Sequence, residues 1–178
     1  MITLISGGAR SGKSSLASSL LENSKDVVYI ATSKIYDDET RERVEIHKKD
    51  RPDYWRTFEN SDVLTDSIGT EKNYILDCIT VFTFNKLFEV AGDSLLVNSA
   101  MQKVIEDKTL SSIFELIDKC NAGGSNLIMI TNEVGDSIVP DNPLSRSYRD
   151  ILGRINQKIA AKSDSVYMTF CGIPLKIK

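Results

Sequence analysis

Ile2-Thr3-Leu4-Ile5-Ser6-Gly7-Gly8-Ala9-Arg10-Ser11-Gly12-Lys13-Ser14 opens the chain, and the fold can be read outward from it. Residues 2–6 are a short apolar run of strand type that stops at two glycines. The segment Gly7, Gly8, Ala9, Arg10, Ser11, Gly12, Lys13 and Ser14 fits the pattern G-x-x-x-x-G-K-[ST]. In that pattern the glycines permit a tight turn and let backbone N–H groups approach phosphate oxygens. Lys13 brings positive charge to the terminal phosphates, and the Ser14 hydroxyl can ligand Mg2+. A helix over residues 14–22 follows, with Leu16, Ala17, Leu20 and Leu21 at helical spacing, and its N-terminus favours anions. Strand, loop and helix in this order mark a nucleotide phosphate site.

Further along, strand and helix alternate. Residues 27–31 are a strand rich in β-branched residues. Residues 37–49 are strongly charged and helical, with Asp37 or Asp38 as the cap, and Pro52 ends that segment. A buried strand over 74–77 ends in a carboxylate and leads to a helix over 81–90. A second helix covers about 99–120 and leads to a strand over 126–131. Within residues 144–162, Tyr148, Ile151, Leu152, Ile155 and Ile159 make one helix face. Residues 166–170 and 173–177 are a closing pair of strands that Cys171-Gly172 can join as an antiparallel hairpin. Alternation of this kind predicts an α/β fold of the P-loop NTPase type, a mostly parallel sheet flanked on both faces by helices. No linker or repeat divides it, so residues 1–178 are read as one domain.

Composition narrows the function. The 178 residues carry 22 Lys plus Arg against 25 Asp plus Glu, a net charge of -3, which gives no reason to expect nucleic acid as a partner. The longest apolar run, Val27 to Ala31, falls far short of the roughly 20 residues of a membrane span, so no membrane insertion is expected. The N-terminus has no basic stretch or cleavage pattern of a signal peptide. Cys78, Cys120 and Cys171 form no C-x-x-C pair, which argues against a disulfide framework or structural zinc and for a cytoplasmic location. The single His leaves one candidate for any imidazole chemistry.

A P-loop also needs a strand-terminal acid for the Mg2+ shell, and Asp77 at the end of Tyr74-Ile75-Leu76-Asp77 is the candidate. The alternative for Asp77 is an ordinary cap of the following turn. A signalling GTPase would need N-K-x-D, and Asn85-Lys86-Leu87-Phe88 fails at its fourth position. Asp66-Ser67-Ile68-Gly69 matches D-x-x-G but follows no apolar strand, so it is read as a turn. A small-metabolite kinase, or another phosphoryl or nucleotidyl transferase, remains.

The lone His47 lies in a charged segment where Arg43 sits four residues before it and Arg51 four after, a local cationic patch in an acidic protein. Imidazole is a competent nucleophile toward phosphorus near neutral pH. Residue spacing leaves two readings open: a solvated surface histidine, or the acceptor of a nucleotidyl group.

Beyond the loop, Arg43 to Glu59 reads R-x-x-x-H-x-x-x-R-P-x-x-W-R-T-x-E. Tyr29-Ile30-Ala31-Thr32-Ser33, Leu76-Asp77-Cys78-Ile79-Thr80, Thr131-Asn132-Glu133-Val134-Gly135, the stretch from Asp150 to Gln157, and Gly172-Ile173-Pro174 accompany it. Taken together these resemble the bifunctional adenosylcobinamide kinase / adenosylcobinamide-phosphate guanylyltransferase family of cobalamin biosynthesis, from end to end. The resemblance implies phosphorylation of adenosylcobinamide with ATP or GTP. It then implies transfer of GMP from GTP through a guanylyl-histidine, giving adenosylcobinamide-GDP. It makes His47 the residue that takes GMP and Lys13 its catalytic companion in the loop. Ala31, Thr32, Ser33, Lys48, Lys49, Asp50, Arg51 and Glu59 match nucleotide contacts, with Ser14 and Asp77 as Mg2+ ligands. A carboxylate such as Glu59 suits the N1 and N2 donors of guanine. The family also implies a homo-oligomer, a trimer. The alternative is a P-loop small-metabolite kinase without nucleotidyl transfer.

Overall fold

The sheet is built around β1 (Ile2–Gly7), whose side chains are almost entirely buried. In this computed structural model, residues 1–34, 38–49, 51–59, 62–92, 94 and 96–178 are described, with residues 39, 40, 43, 46, 47 and 49 described in backbone only. After β1 come α1 (Lys13–Leu20), β2 (Val27–Ala31), α2 (Asp38–Lys49), β3 (Arg56–Phe58) and a 3-10 turn at Leu64–Ser67. The second half adds β4 (Asn73–Asp77), α3 (Ile79–Ala91), α4 (Ser99–Ala122), β5 (Asn126–Ile130), α5 (Pro143–Lys162), β6 (Ser165–Phe170) and β7 (Ile173–Lys176). The spatial order is β3-β2-β4-β5-β1-β6-β7, parallel throughout except for the antiparallel β6–β7 hairpin. The expected α/β class and the closing hairpin are both present.

Each face of the sheet has its own cover. On one side Ile5, Tyr29, Ile75, Ile128 and Ile130 pack against Ala17 and Leu21 of the α1 region and against Trp55. On the other, Leu4, Val28, Leu76, Leu127 and Met129 meet Phe82 of α3, Ile113 and Leu116 of α4, and Ile151, Leu152, Ile155 and Ile159 of α5. The alternation of strand side chains between two faces makes this sandwich possible. Leu20, expected on the buried face of α1, is exposed, because the helix meets the sheet through Ala17 and Leu21. No described helix is long and apolar enough to cross a membrane.

Caps explain several boundaries. The Asn98 side chain accepts from Met101 N at 2.9 Å to start α4, and Asn142 accepts from Ser145 N at 2.7 Å ahead of Pro143 to start α5. α3 begins two residues before the expected position because Cys78 serves as its cap. Asp66 and Ser67 fall in the 3-10 turn, as expected of a segment without a preceding strand. Helix α2 begins at Asp38, while its expected cap Asp37 lies outside the described residues.

α4 and α5 are tied by a buried acid. Glu106, 5% exposed, accepts from Arg154 Nε at 2.8 Å and from Lys158 Nζ, and Arg154 also donates to Gln102 Oε1 at 3.1 Å. Burial pushes the Glu106 carboxyl upward, but the Arg154 and Lys158 hydrogen bonds outweigh it, so its pKa lies below the ordinary value. A depressed folded-state pKa stabilises the fold above the unfolded value and loses that contribution as pH falls through the folded one. Glu106→Gln is therefore expected to cost about 1–3 kcal/mol at neutral pH. In thermal unfolding, the gap between the variant and the parent should close as the pH is lowered below the carboxylate range. A gap that stays constant down to strong acid would contradict this account.

Candidate active site

The parallel strands deliver their carboxyl ends to one edge. The register pairs Ala31 with Asp77 and Asp77 with Ile130, and β1 ends beside them at Gly7. Open α/β sheets gather ligands at that edge.

The loop from Gly7 to Gly12 owes its path to close packing against the C-terminal hairpin. A Cβ on Gly7 would lie 2.5 Å from Thr169 Oγ1, and one on Gly12 would lie 3.0 Å from Gly172 Cα. Gly12 also has φ +100°, which disfavours any L side chain. Ser11 and Thr169 hydroxyls share a hydrogen bond of 2.7 Å, and Gly172 N donates to Ser11 O at 3.0 Å. Gly8, Ala9 and Arg10 form the exposed crest, with Arg10 at φ +54°. Lys13, 8% exposed, lies along the inside of the turn and donates to Gly7 O at 3.1 Å and Gly8 O at 2.6 Å. Burial pulls its pKa below the ordinary lysine value, against the nearby charges of Cys78 and Asp77. An anion within the loop would restore what the desolvated ammonium lacks.

Asp77 is the hub of the acidic side. Its Oδ2 accepts from Ser14 Oγ at 3.4 Å and from Tyr29 OH. Its peptide bond to Cys78 is cis. Thr32 binds the strand end there: its N donates to Asp77 O at 3.1 Å, and its hydroxyl accepts from Cys78 N at 2.8 Å and donates to Cys78 O at 2.9 Å. Asn85 Nδ2 donates to Thr32 O at 2.9 Å. Thr32 is thus fully buried and acts on the backbone, whereas Ser33 is exposed. Two hard oxygens 3.4 Å apart, from Ser14 and Asp77, fit the needs of Mg2+, whose ligands at about 2.1 Å occupy octahedral vertices about 3 Å apart. Among the described residues no cluster of three or more His, Cys, Asp or Glu offers an all-protein cage. Mg2+ needs none, because it binds through one or two carboxylates plus substrate phosphates.

The segment around the lone histidine is reached from two contacts. Lys48 Nζ meets Glu59 Oε1 at 2.8 Å, and this hydrogen bond raises the lysine pKa. Arg51 lies with its Cζ 3.3 Å from the Tyr29 ring centroid, and its Nη1 is shielded from solvent without a hydrogen-bond partner among the described residues. His47 and Lys49 fall on α2, and their side chains, like the whole of Asp50, lie outside the described residues.

The short strand β3 was not anticipated. Its three residues, Arg-Thr-Phe, are mostly exposed and lie at the sheet margin, too few and too polar to show a period. It matters because Ile30 pairs with Phe58, which brings Glu59 alongside Ala31. Trp55 proves to be a core anchor, 6% exposed, donating through Nε1 to Ser24 O at 3.1 Å. Three site contributors escaped the reading of the residues: Tyr29, hidden in an apolar strand, and the Thr169–Gly172 brace, distant in sequence. Beyond Asp77, Thr80 Oγ1 accepts from Asn132 N at 2.7 Å, and Thr131 Oγ1 donates to Asn156 Oδ1 at 2.8 Å. The first bond ties the start of α3 to the segment after β5, and the second ties that segment to α5.

Residues 3–177 match the family described as Cobinamide kinase / cobinamide phosphate guanyltransferase. The chain is 40% identical over 185 residues to the bifunctional adenosylcobalamin biosynthesis protein CobU of Salmonella typhimurium (strain LT2), with each chain covered in full. It is 41% identical over 182 residues to the protein of the same name from Escherichia coli (strain K12), again over the full length of both. Among solved structures, a KaiC-like protein from Pyrococcus horikoshii OT3 aligns with a TM-score of 0.48 at 13% identity, covering 94% of this chain and 71% of that one. With the phosphate loop, the strand-end acid and the histidine-bearing segment all inside the matched span, the chain belongs to the cobinamide kinase / cobinamide phosphate guanyltransferase family.

Proposed function

We propose that this chain phosphorylates the aminopropanol hydroxyl of adenosylcobinamide with ATP or GTP, then transfers GMP from GTP to that phosphate. The products are adenosylcobinamide-GDP and pyrophosphate. The observation that carries this reading is the meeting, at one sheet edge, of a buried Lys13 ammonium inside the loop with the Ser14–Asp77 oxygen pair.

In the first step, the loop amides from Gly8 to Lys13 and the Lys13 ammonium hold the triphosphate and offset charge that grows on the transferring phosphoryl group. Ser14 and Asp77 would hold Mg2+, which supplies charge neutralisation at the phosphates when bound. In the second step, an imidazole nitrogen of His47 attacks the α-phosphorus of GTP. The bond to the bridging oxygen breaks and pyrophosphate leaves with its electron pair. An oxygen of the corrinoid phosphate then displaces the imidazole and takes GMP. Orientation of the triphosphate is the loop's share of the work, since in-line placement of the reacting atoms supplies much of such a rate enhancement. Arg51, Lys48 and Lys49 provide positive charge near the second reaction, Asp50 and Ser33 complete the nucleotide contacts, and Glu59 reads guanine. The protein works in the cytoplasm as a homo-oligomer, a trimer.

Incubation of the protein with α-labelled GTP and Mg2+ is expected to leave acid-labile, base-stable label on the chain. His47→Ala should abolish that label and guanylyl transfer while sparing phosphorylation of adenosylcobinamide. Undiminished label in this variant would remove His47 from the mechanism, and phosphorylation without any label in the parent protein would favour a plain metabolite kinase.

Lys13→Ala is expected to lower both reactions by at least about 100-fold, in line with the loss of a charged group aimed at the transition state. Steady-state assays of each step separately check this. Loss confined to one step would mean that the two reactions do not share the loop.

A further inference from the structure

Tyr29 occupies a position where packing alone would be served by phenylalanine. It lies in the middle of β2, 5% exposed, among Ile5, Ala17, Trp55 and Ile75. A buried hydroxyl is costly unless it finds a partner, and here it finds Asp77 Oδ2. The geometry follows from the sheet. Ala31 stands opposite Asp77, so Tyr29 is the diagonal neighbour of Asp77 on the same face, a distance that a long aromatic side chain spans.

Two donors therefore converge on one carboxylate oxygen, and they differ in firmness. The Ser14 contact is long, 3.4 Å, and comes from a small rotatable hydroxyl, whereas the tyrosine contact comes from a ring clamped in the core. When Ser14 turns its hydroxyl oxygen to a cation, the tyrosine bond is the one that keeps the carboxylate in place. A phenol carries its proton at neutral pH and a carboxylate can only accept, so the bond runs from the tyrosine to Asp77. The same ring carries the Arg51 guanidinium on its face at 3.3 Å. One side chain thus serves Asp77 through its edge and the segment following α2 through its face.

We infer that Tyr29 is a positioning residue: its hydroxyl fixes the Asp77 carboxylate for the cation that accompanies the bound nucleotide, while its ring seats Arg51. This rests on the nucleotide–Mg2+ reading of the site given above.

Tyr29→Phe separates the two roles, because it removes the hydroxyl and keeps the ring. Calorimetric titration of GTP with and without Mg2+ provides a readout independent of turnover. The variant is expected to bind GTP without Mg2+ within twofold of the parent, and to show a gain in affinity on adding Mg2+ that is about tenfold smaller. Placed on an Asp77→Ala background, the same change should produce no further loss of that gain, as two residues acting through one contact require. The kinase step should lose kcat with little change in KM for the corrinoid. Equal weakening with and without Mg2+, or a full Mg2+ gain in Tyr29→Phe, overturns the role of the hydroxyl. Additive loss on the Asp77→Ala background overturns it as well. A parent protein that binds no GTP would instead bring down the nucleotide reading itself.

Discussion

The structure depends on how closely the backbone of the phosphate loop approaches the backbone of the C-terminal hairpin. Gly12 and Gly172 meet with no room for a side chain on the former, and Gly7 is pressed against Thr169 in the same way. This contact joins the two ends of the chain. It requires β6 to lie beside β1 in parallel register, with the Cys171-Gly172 turn carried over the loop, and both residues of that turn have positive φ. The loop's curvature is therefore imposed from outside as well as permitted by its own glycines. The inward position of Lys13 follows: the ammonium takes the Gly7 and Gly8 carbonyls because the turn is held closed around it. Such preorganisation is what electrostatic stabilisation of a transferring phosphoryl group needs, since donors already in place require no rearrangement during reaction.

The second half of the site comes from the parallel sheet. Strands running the same way end at the same edge, so Ala31, Asp77 and the end of β1 are neighbours although far apart in sequence. β3 extends this edge by one strand and adds Glu59. The Thr32 hydroxyl then ties the end of β2 to the Cys78 peptide, Thr80 at the start of α3 accepts from Asn132 N beyond β5, and Thr131 ties the end of β5 to Asn156 of α5. The result is a rim of threonine hydroxyl bonds beneath the proposed nucleotide, set where the strands end.

How much of this could be read from the residues depended on whether the cause was local. The β1–loop–α1 unit was legible because its signal, an apolar run followed by spaced glycines, Lys13 and Ser14, is contiguous. The core face of α5 was legible because Ile151, Leu152, Ile155 and Ile159 keep a helical period, and all four are fully buried. β3 was not, since three residues at a sheet margin carry no period. Tyr29 was read as a strand residue and as part of a family-like segment but given no role, because nothing within β2 indicates that its hydroxyl meets an acid 48 positions later. The brace from Thr169 and Gly172 was invisible for the same reason, its partner Ser11 being 158 positions away. His47 was singled out by composition and given a role by resemblance.

That role places a demand on how the histidine-bearing segment is attached to the rest of the site. The Lys48–Glu59 pair is an exposed ion pair, with side chains 40% and 56% accessible, and such pairs contribute at most about 1 kcal/mol. It can set register but cannot hold a nucleophile in place. Arg51 is the better anchor, because its guanidinium carbon sits over a buried ring at 3.3 Å from the centroid and one of its nitrogens is withdrawn from water. Through Tyr29 that anchor reaches Asp77, and through Asp77 it reaches Ser14 and the start of α1. On the proposed mechanism the two reactions then share one rigid phosphate site. What differs between them is the attacking group: a substrate hydroxyl at the γ-phosphorus, or His47 at the α-phosphorus. On that mechanism, the Arg51 contact with Tyr29 is the physical link between the histidine-bearing segment and the phosphate site.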